Sequence, residues 1–212
     1  MLAMPDKAIA AAIQAAFSQF RQSAATLAPE IYAQETTANQ SAIETWWGND
    51  SNVVTVGVGY PLQQVKPPIV AVTIEAEQEM DRARFIGSQS GLVVPGAAGT
   101  GSYGYATQLR GRYSIACLGV NQDWVLWIEV LTRWALLSQR RNLQQPPPAG
   151  ALLYRQTLSA AGFAPVPNSM ADSVYPFARV LVLEADRLDT WSGSVADTVA
   201  GASVSVEVGA GS

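Results

Sequence analysis

A strand pattern runs directly into a long helix pattern at residues 109–143. In the strand part, Tyr113, Ile115 and Cys117 share one face, because side chains alternate along a β-strand. The helix, predicted over 122–143, is apolar well beyond a single core-facing band. Its apolar residues are Trp124, Ile128, Leu131 and Ala135, widened by Trp127, Val130, Trp134 and Leu137. Either the sheet and its neighbours cover this helix wholly, or one side of it meets another subunit.

Three further strands are predicted at residues 53–59, 68–79 and 176–187. Residues 68–79 place an acidic row, Glu75, Glu77 and Glu79, opposite an apolar one, Val70, Val72, Ile74 and Ala76. The fold class that follows is α/β (α+β), with a mixed, mainly antiparallel sheet and a long helix packed across one face. On the polar side of that helix, Glu129 and Arg133 are four residues apart and are expected to pair.

The rest of the chain carries weaker patterns. An amphipathic helix is predicted over 5–26, ended by Pro29, and a polar segment follows at 30–51. A short helix is predicted at 151–161. We expect one domain over 1–212, made of the N-terminal helix and polar segment (1–50), a sheet-and-helix core (51–187) and a C-terminal arm (188–212).

The chain contains no histidine and a single cysteine, Cys117. The commonest general base and every Ser-His or Cys-His nucleophile are therefore absent, as is a zinc site of the usual kind. Cys117 lies in an apolar strand pattern, which favours a small buried side chain over a reactive thiol. We expect no enzymatic activity, no cofactor and no catalytic or metal site, although sites for Mg²⁺ or Ca²⁺ built from carboxylates alone stay open.

The stretch GTGSYG at 99–104 matches the spacing of a dinucleotide-binding loop. Such a loop must follow a strand and open a helix, so that the pyrophosphate sits on the helix N-terminus. Here the glycines lie in a glycine- and alanine-rich stretch that leads into a strand. We therefore predict a flexible loop between strands. Residues 86–108 and 188–212 are both expected to be mobile in an isolated subunit and ordered in an assembly.

The charge balance points to protein contacts. Charged residues make up 14% of the chain, below the about 25% of a typical soluble protein. The chain has eleven arginines and only two lysines. Arginine is favoured at protein interfaces because it is weakly hydrated and makes planar forked contacts. The candidate interface residues are Trp124, Trp127, Trp134, Arg140, Arg141, Trp46 and Trp47.

Two interpretations of the glutamate row at 75–79 stay open. Paired carboxylates could perform acid–base chemistry if another element completed a dry cleft. The alternative is a solvated strand face, and Glu75, Glu77 and Glu79 would then be candidates to face the lumen of a ring, where they would repel DNA phosphates. The adjacent Trp46 and Trp47 are similarly open, either tucked against their own domain or in contact with a partner.

The order of these elements resembles the neck and tail-terminator (tail completion) proteins of tailed bacteriophages. The likeness covers about residues 50–190, and GRYSIACLGVNQDWVLWIEVLTRWALL at 111–137 carries most of it. LLSQRRNL at 136–143 and YPFARVLVLEADRLDTW at 175–191 complete the series. The resemblance implies a hexameric ring between the head connector and the tail tube, and it brings no catalytic or binding signature with it.

The function expected from this resemblance is structural, as a ring-forming subunit that terminates the tail and joins it to the head. Its partners would be copies of itself and other neck and tail proteins, with DNA only passing through the lumen. Its location would be the virion, and the host cytoplasm during assembly. No membrane partner is expected, since no window approaches 18 uninterrupted apolar residues. Two alternatives remain: another virion ring component, such as a head-closure or tail-tube subunit, and a carboxylate-dependent hydrolase.

Overall fold

The computed structural model describes residues 4–59, 68–79, 92–94, 102–146, 150–163 and 177–194, and it describes only the backbone at 79, 92–94, 102–108, 161–163 and 188–194. Within these ranges the helices are α1 (Pro5–Gln22), α2 (Ala24–Ile31), α3 (Thr37–Gly48), α4 (Gln122–Ser138) and α5 (Arg140–Leu143). The strands are β1 (Thr55–Val58), β2 (Ile69–Glu79), β3 (Leu92–Val94), β4 (Ser102–Gly119), β5 (Leu153–Phe163) and β6 (Phe177–Ser194).

The strands form one mixed sheet in the order β1-β2-β4-β6-β5, with β3 also paired to β4. β1 runs parallel to β2, whereas the pairs β2–β4, β3–β4 and β5–β6 are antiparallel. The predicted fold class is therefore confirmed: the protein is α+β, with a mainly antiparallel sheet and helices packed on it.

Both faces of the central strands are buried. On the helix-covered face, Val70, Tyr113 and Ile115 pack with the helices in the main core, and all three are fully buried. On the other face, Ile69, Ala71, Ala116, Leu118 and Ala178 form a second, smaller apolar cluster. Strands buried on both faces have near-continuous apolar runs rather than strict alternation. The predicted apolar row was thus only half of the buried set, and Ile74, which was assigned to it, is 42% exposed.

α4 begins where β4 ends. Asn121 caps the helix, because its side-chain oxygen accepts hydrogen bonds from the backbone N–H groups of Asp123 (2.8 Å) and Trp124 (3.3 Å). The turn is tight: a Cβ added at Gly119 would lie 2.8 Å from the Val125 side chain. The predicted single helix over 122–143 ends earlier, at Ser138, and α5 continues the chain after a turn at Gln139.

The N-terminal region differs from its prediction in two places. The predicted helix over 5–26 breaks at Ser23, and Pro29 lies inside α2 rather than ending the first helix. The predicted polar segment at 30–51 contains the twelve-residue helix α3, capped by Thr36 and buried through Ile43, Trp46 and Trp47. No helix was predicted in this segment.

The predicted short helix at 151–161 is also wrong, because residues 153–163 form the strand β5. Its pairing with β6 shifts register twice, between Tyr154 and Thr157 and between Ala160 and Phe163. Positive φ angles at Leu152 (53°) and Arg155 (47°) accompany the irregular start of the strand. Each shift inserts residues that break the two-residue period of side chains. The alternation that would have identified a strand is therefore missing from the sequence.

Two compact units can be distinguished in the chain, residues 1–80 with 108–188, and residues 81–107 with 189–212. The single-domain organisation stays a prediction. In the second unit, β3 pairs with the first residues of β4, Leu92 with Gly104 and Val94 with Ser102. The end of the predicted glycine-rich loop, 102–108, is thus strand backbone, and β6 extends to Ser194 within the predicted C-terminal arm. Residues 86–91, 95–101 and 195–212 lie outside the described residues.

Candidate subunit interface

α4 carries an apolar stripe that its own chain covers only in part. Leu126, Val130 and Trp134 are half-buried, and Leu137, one turn further, is 57% exposed. These four residues recur every three or four positions, so they share one side of the helix. The opposite side, with Val125, Ile128 and Leu131, is buried in the main core. Of the predicted interface tryptophans, Trp134 therefore lies on this partly open stripe.

Trp124 and Trp127 lie on a different side of α4, next to α3. The Trp46 ring is centred 5.6 Å from the Trp124 ring and 6.2 Å from the Trp127 ring. Both α4 tryptophans are half-buried, and they wall a groove of about 490 Å³ between α3 and the start of α4. The tyrosine hydroxyl of Tyr32 donates a hydrogen bond to the backbone oxygen of Trp127 at 2.7 Å, which fixes α2 to the same part of α4.

Trp46 and Trp47 are both core residues, 7% and 1% exposed. Trp47 makes edge-to-face contacts with Phe17 at 5.2 Å and Phe20 at 5.6 Å, which join α3 to α1. Both indoles are thus packed within their own chain, which is the first of the two interpretations that the sequence left open. Burial also raises the pKa of the neighbouring Tyr32 above its usual range.

Arg140 and Arg141 lie immediately beyond α4 and are both exposed. The Arg140 guanidinium donates a hydrogen bond to the backbone oxygen of Gln156 at 2.7 Å. The Gln156 side-chain amide in turn donates to the backbone oxygens of Arg140 (3.1 Å) and Leu153 (2.9 Å). These hydrogen bonds fix α5 against β5. Arg141 makes no hydrogen bond or ion pair through its side chain within the described residues.

The three glutamates of β2 do not form one acidic row. The register of β2 against β4 shifts between Ile74 and Ala76. Glu75 consequently pairs with Arg112 at 2.7 Å, whereas Glu77 pairs with Arg187 at 2.8 Å and accepts a hydrogen bond from Tyr113 at 3.2 Å. Arg112 and Tyr113 are neighbours in a strand and point to opposite faces. The side chain of Glu79 lies outside the described residues, and the placement of these residues in a channel stays a prediction.

Two ionic clusters were missed from the sequence. Glu129 does pair with Arg133, at 2.5 Å, but it is buried rather than on a polar side, and it also binds Arg179 of β6 at 3.0 Å. Asp186 of β6 is 1% exposed and lies 3.4 Å from the Arg110 guanidinium and 3.7 Å from the Arg155 guanidinium. The only signal for either cluster was an acidic residue within an apolar run. The helix and strand patterns could be assigned without explaining that residue.

Cys117 is completely buried, as its strand pattern predicts. Its thiol lies 3.7 Å from the Thr132 hydroxyl of α4, to which it donates. Burial raises the pKa of the Cys117 thiol to about 12, so the reactive thiolate is not formed at neutral pH.

These observations define an α+β protein whose buried charges are paired within the chain and whose longest helix keeps a partly open apolar stripe. Within the described ranges, no group of three acidic or cysteine side chains is arranged to hold a metal ion. None of the helices in those ranges is long and apolar enough to cross a membrane. No protein-family model matches the chain, and no curated protein is significantly similar to it.

Proposed function

We propose that this chain is a structural subunit of a tailed-bacteriophage neck, where copies of it form a ring that terminates the tail and joins it to the head connector. The observation that carries the proposal is the apolar stripe of Leu126, Val130, Trp134 and Leu137 on α4, with Leu137 57% exposed. A tryptophan and three aliphatic side chains on one helix side are typical of a surface completed by another protein.

The disposition of the carboxylates also supports a structural role. A general acid or base needs a carboxylate that can reach a substrate proton in a cleft. Glu75, Glu77 and Glu129 are instead each held by an arginine at 3.0 Å or less. Ion pairs of this kind fix strands and helices to one another. They favour the structural proposal over the carboxylate-dependent hydrolase.

Electron microscopy of the purified protein tests the proposal. Closed rings are expected, and antibodies against the chain should label virions at the junction between head and tail. Long tubes, with label along the tail shaft, would favour a tail-tube subunit instead. Single unassociated particles at micromolar concentration would contradict a ring-forming role.

A matched pair of variants tests whether the apolar stripe on α4 is an interface. Leu137→Lys places a charge on the stripe, where it must lose water if the stripe is covered, so we expect ring formation to be lost. Val53→Lys is the control, because Val53 is also 57% exposed but belongs to the segment before β1 rather than to the α4 stripe. Equal assembly of both variants would remove the stripe from the interface.

A further inference from the structure

Charged residues of opposite sign are concentrated in two blocks of the sequence. Between residues 22 and 50 there are four acidic residues and no lysine or arginine: Glu30, Glu35, Glu44 and Asp50. Between residues 130 and 163 there are four arginines and no acidic residue: Arg133, Arg140, Arg141 and Arg155. Within the arginine block, Arg133 pairs with Glu129 and Arg155 with Asp186, which leaves Arg140 and Arg141 to face other charges.

The acidic block lies at the N-terminal end of α4. α3 meets this end through Trp46 and Trp124, whose rings are 5.6 Å apart, and α2 meets it through the hydrogen bond from Tyr32 to Trp127. Glu30 and Glu44 are exposed on these two helices. These two residues form what we call the acidic surface. Asp50 is not included, because Arg21 donates hydrogen bonds to the backbone oxygens of Asn49 and Asn52 on either side of it. Glu35 is half-buried and accepts a hydrogen bond from Asn39.

The arginine block lies at the C-terminal end of α4. Arg140 and Arg141 follow directly after the helix, and Arg140 is held to Gln156 of β5. Arg140 and Arg141 form what we call the arginine surface. Arg133 and Arg155 are not included, because they pair with Glu129 and Asp186.

The two surfaces are too far apart to neutralise each other within one copy. α4 has 17 residues, which at 1.5 Å per residue separates its ends by about 25 Å. The Debye length at physiological salt is about 8 Å, so attraction across this distance is screened. Each surface therefore keeps its own field toward solvent.

From this segregation we infer that copies of the chain associate head to tail, with the acidic surface of one copy on the arginine surface of the next. The inference rests on the proposed ring-forming function and names the surfaces that meet. Neither surface can face itself across a two-fold axis without bringing like charges together, which opposes association. A contact between the two different surfaces repeats from copy to copy around a rotation axis and closes into a ring when the rotation permits. An antiparallel pair would also join the opposite surfaces, but it would stop at two copies.

Charge reversal on one surface at a time tests the inference. The first variant combines Glu30→Lys with Glu44→Lys, and the second is Arg141→Glu, alone and combined with Arg140→Glu. Arg141→Glu alone is included because Arg140 also holds β5 and its loss could impair folding. The two doubly reversed variants should each associate about a hundredfold more weakly than the wild type, since like charges then meet at every contact. Arg141→Glu alone leaves the arginine surface without net charge and should weaken association less, by about tenfold. Arg140→Lys combined with Arg141→Lys preserves the charge and should still assemble.

The decisive measurement is a one-to-one mixture of the two reversed variants. In alternating order, every contact again joins opposite charges, so the mixture should assemble although neither variant does so alone. Assembly of each reversed variant at wild-type strength would overturn the inference and leave the ring proposal standing. A mixture that stays unassembled, or whose native mass stops at two copies, would overturn it as well. A wild-type chain that does not self-associate would refute the proposed function itself.

Discussion

Alanine substitution is predicted to lower mainly the stability at Trp47 and mainly the association between copies at Trp134. Trp47 is 1% exposed and packs edge-to-face on Phe17, Phe20 and Trp46 at 5.0–5.6 Å. Removing such a side chain leaves a cavity and costs about 3–5 kcal/mol. Since small domains have about 5–15 kcal/mol of total stability, Trp47→Ala should lose a large part of it.

Trp134 is half-buried on the α4 stripe, so less of its surface contributes to folding. Trp134→Ala should lower the free energy of unfolding by about 1–2 kcal/mol, from the apolar area it buries. If the stripe is an interface, the same change should weaken association by about 2 kcal/mol or more per contact. That corresponds to about a thirtyfold higher dissociation constant.

Urea unfolding of each variant, measured by circular dichroism, gives the change in stability, and native mass against concentration gives the change in association. The expected pattern is a large stability loss for Trp47→Ala and a mainly associative loss for Trp134→Ala. Equal losses of stability in both variants, with association weakened only in proportion to stability, would show that α4 is covered by its own chain and is not an interface.

Three further predictions concern the sheet. Gly111→Ala should lower stability by about 1–3 kcal/mol, because its Cβ would lie 2.2 Å from the Tyr113 hydroxyl oxygen; an unchanged melting temperature would contradict that packing. Between pH 9 and 12, the free energy of unfolding of the wild type should fall more steeply than that of Cys117→Ala, by up to about 1.4 kcal/mol per pH unit. The reason is that the native thiol keeps its proton up to about pH 12, whereas the unfolded thiol loses it near pH 9. Parallel pH profiles would refute this. Glu77→Gln should lower the free energy of unfolding by about 2 kcal/mol or more, because it breaks a largely buried ion pair. Glu75→Gln breaks an exposed pair and should lower it by less than about 1 kcal/mol. The reverse order in urea titrations would contradict the assigned contacts.

The sheet and α4 could be predicted because their side chains follow a regular period. Alternation identified β2 and the second half of β4, and helical spacing identified α4 together with its wide apolar face. β5 could not be found in this way, because two register shifts against β6 remove its alternation. α3 was hidden for another reason: only Ile43, Trp46 and Trp47 are buried on it, which is too few to stand out in a polar segment.

The candidate interface was predictable as a list of residue types but not as a surface. Tryptophan and arginine favour interfaces in general, yet only the packing separates the core indoles of Trp46 and Trp47 from the half-buried Trp134. The same holds for the acidic residues of β2. A single bulge after Ile74 gives Glu75 and Glu77 different partners, and no local pattern in the sequence indicates that bulge.

The native mass of the purified chain tests the ring proposal most directly. One copy has a mass of 22.5 kDa, so a hexameric ring would have six times that mass, about 135 kDa. A ring-forming subunit should give a single closed species at a fixed multiple of 22.5 kDa, with no further growth as concentration rises. A mass of 22.5 kDa that persists at high micromolar concentration would contradict the ring proposal.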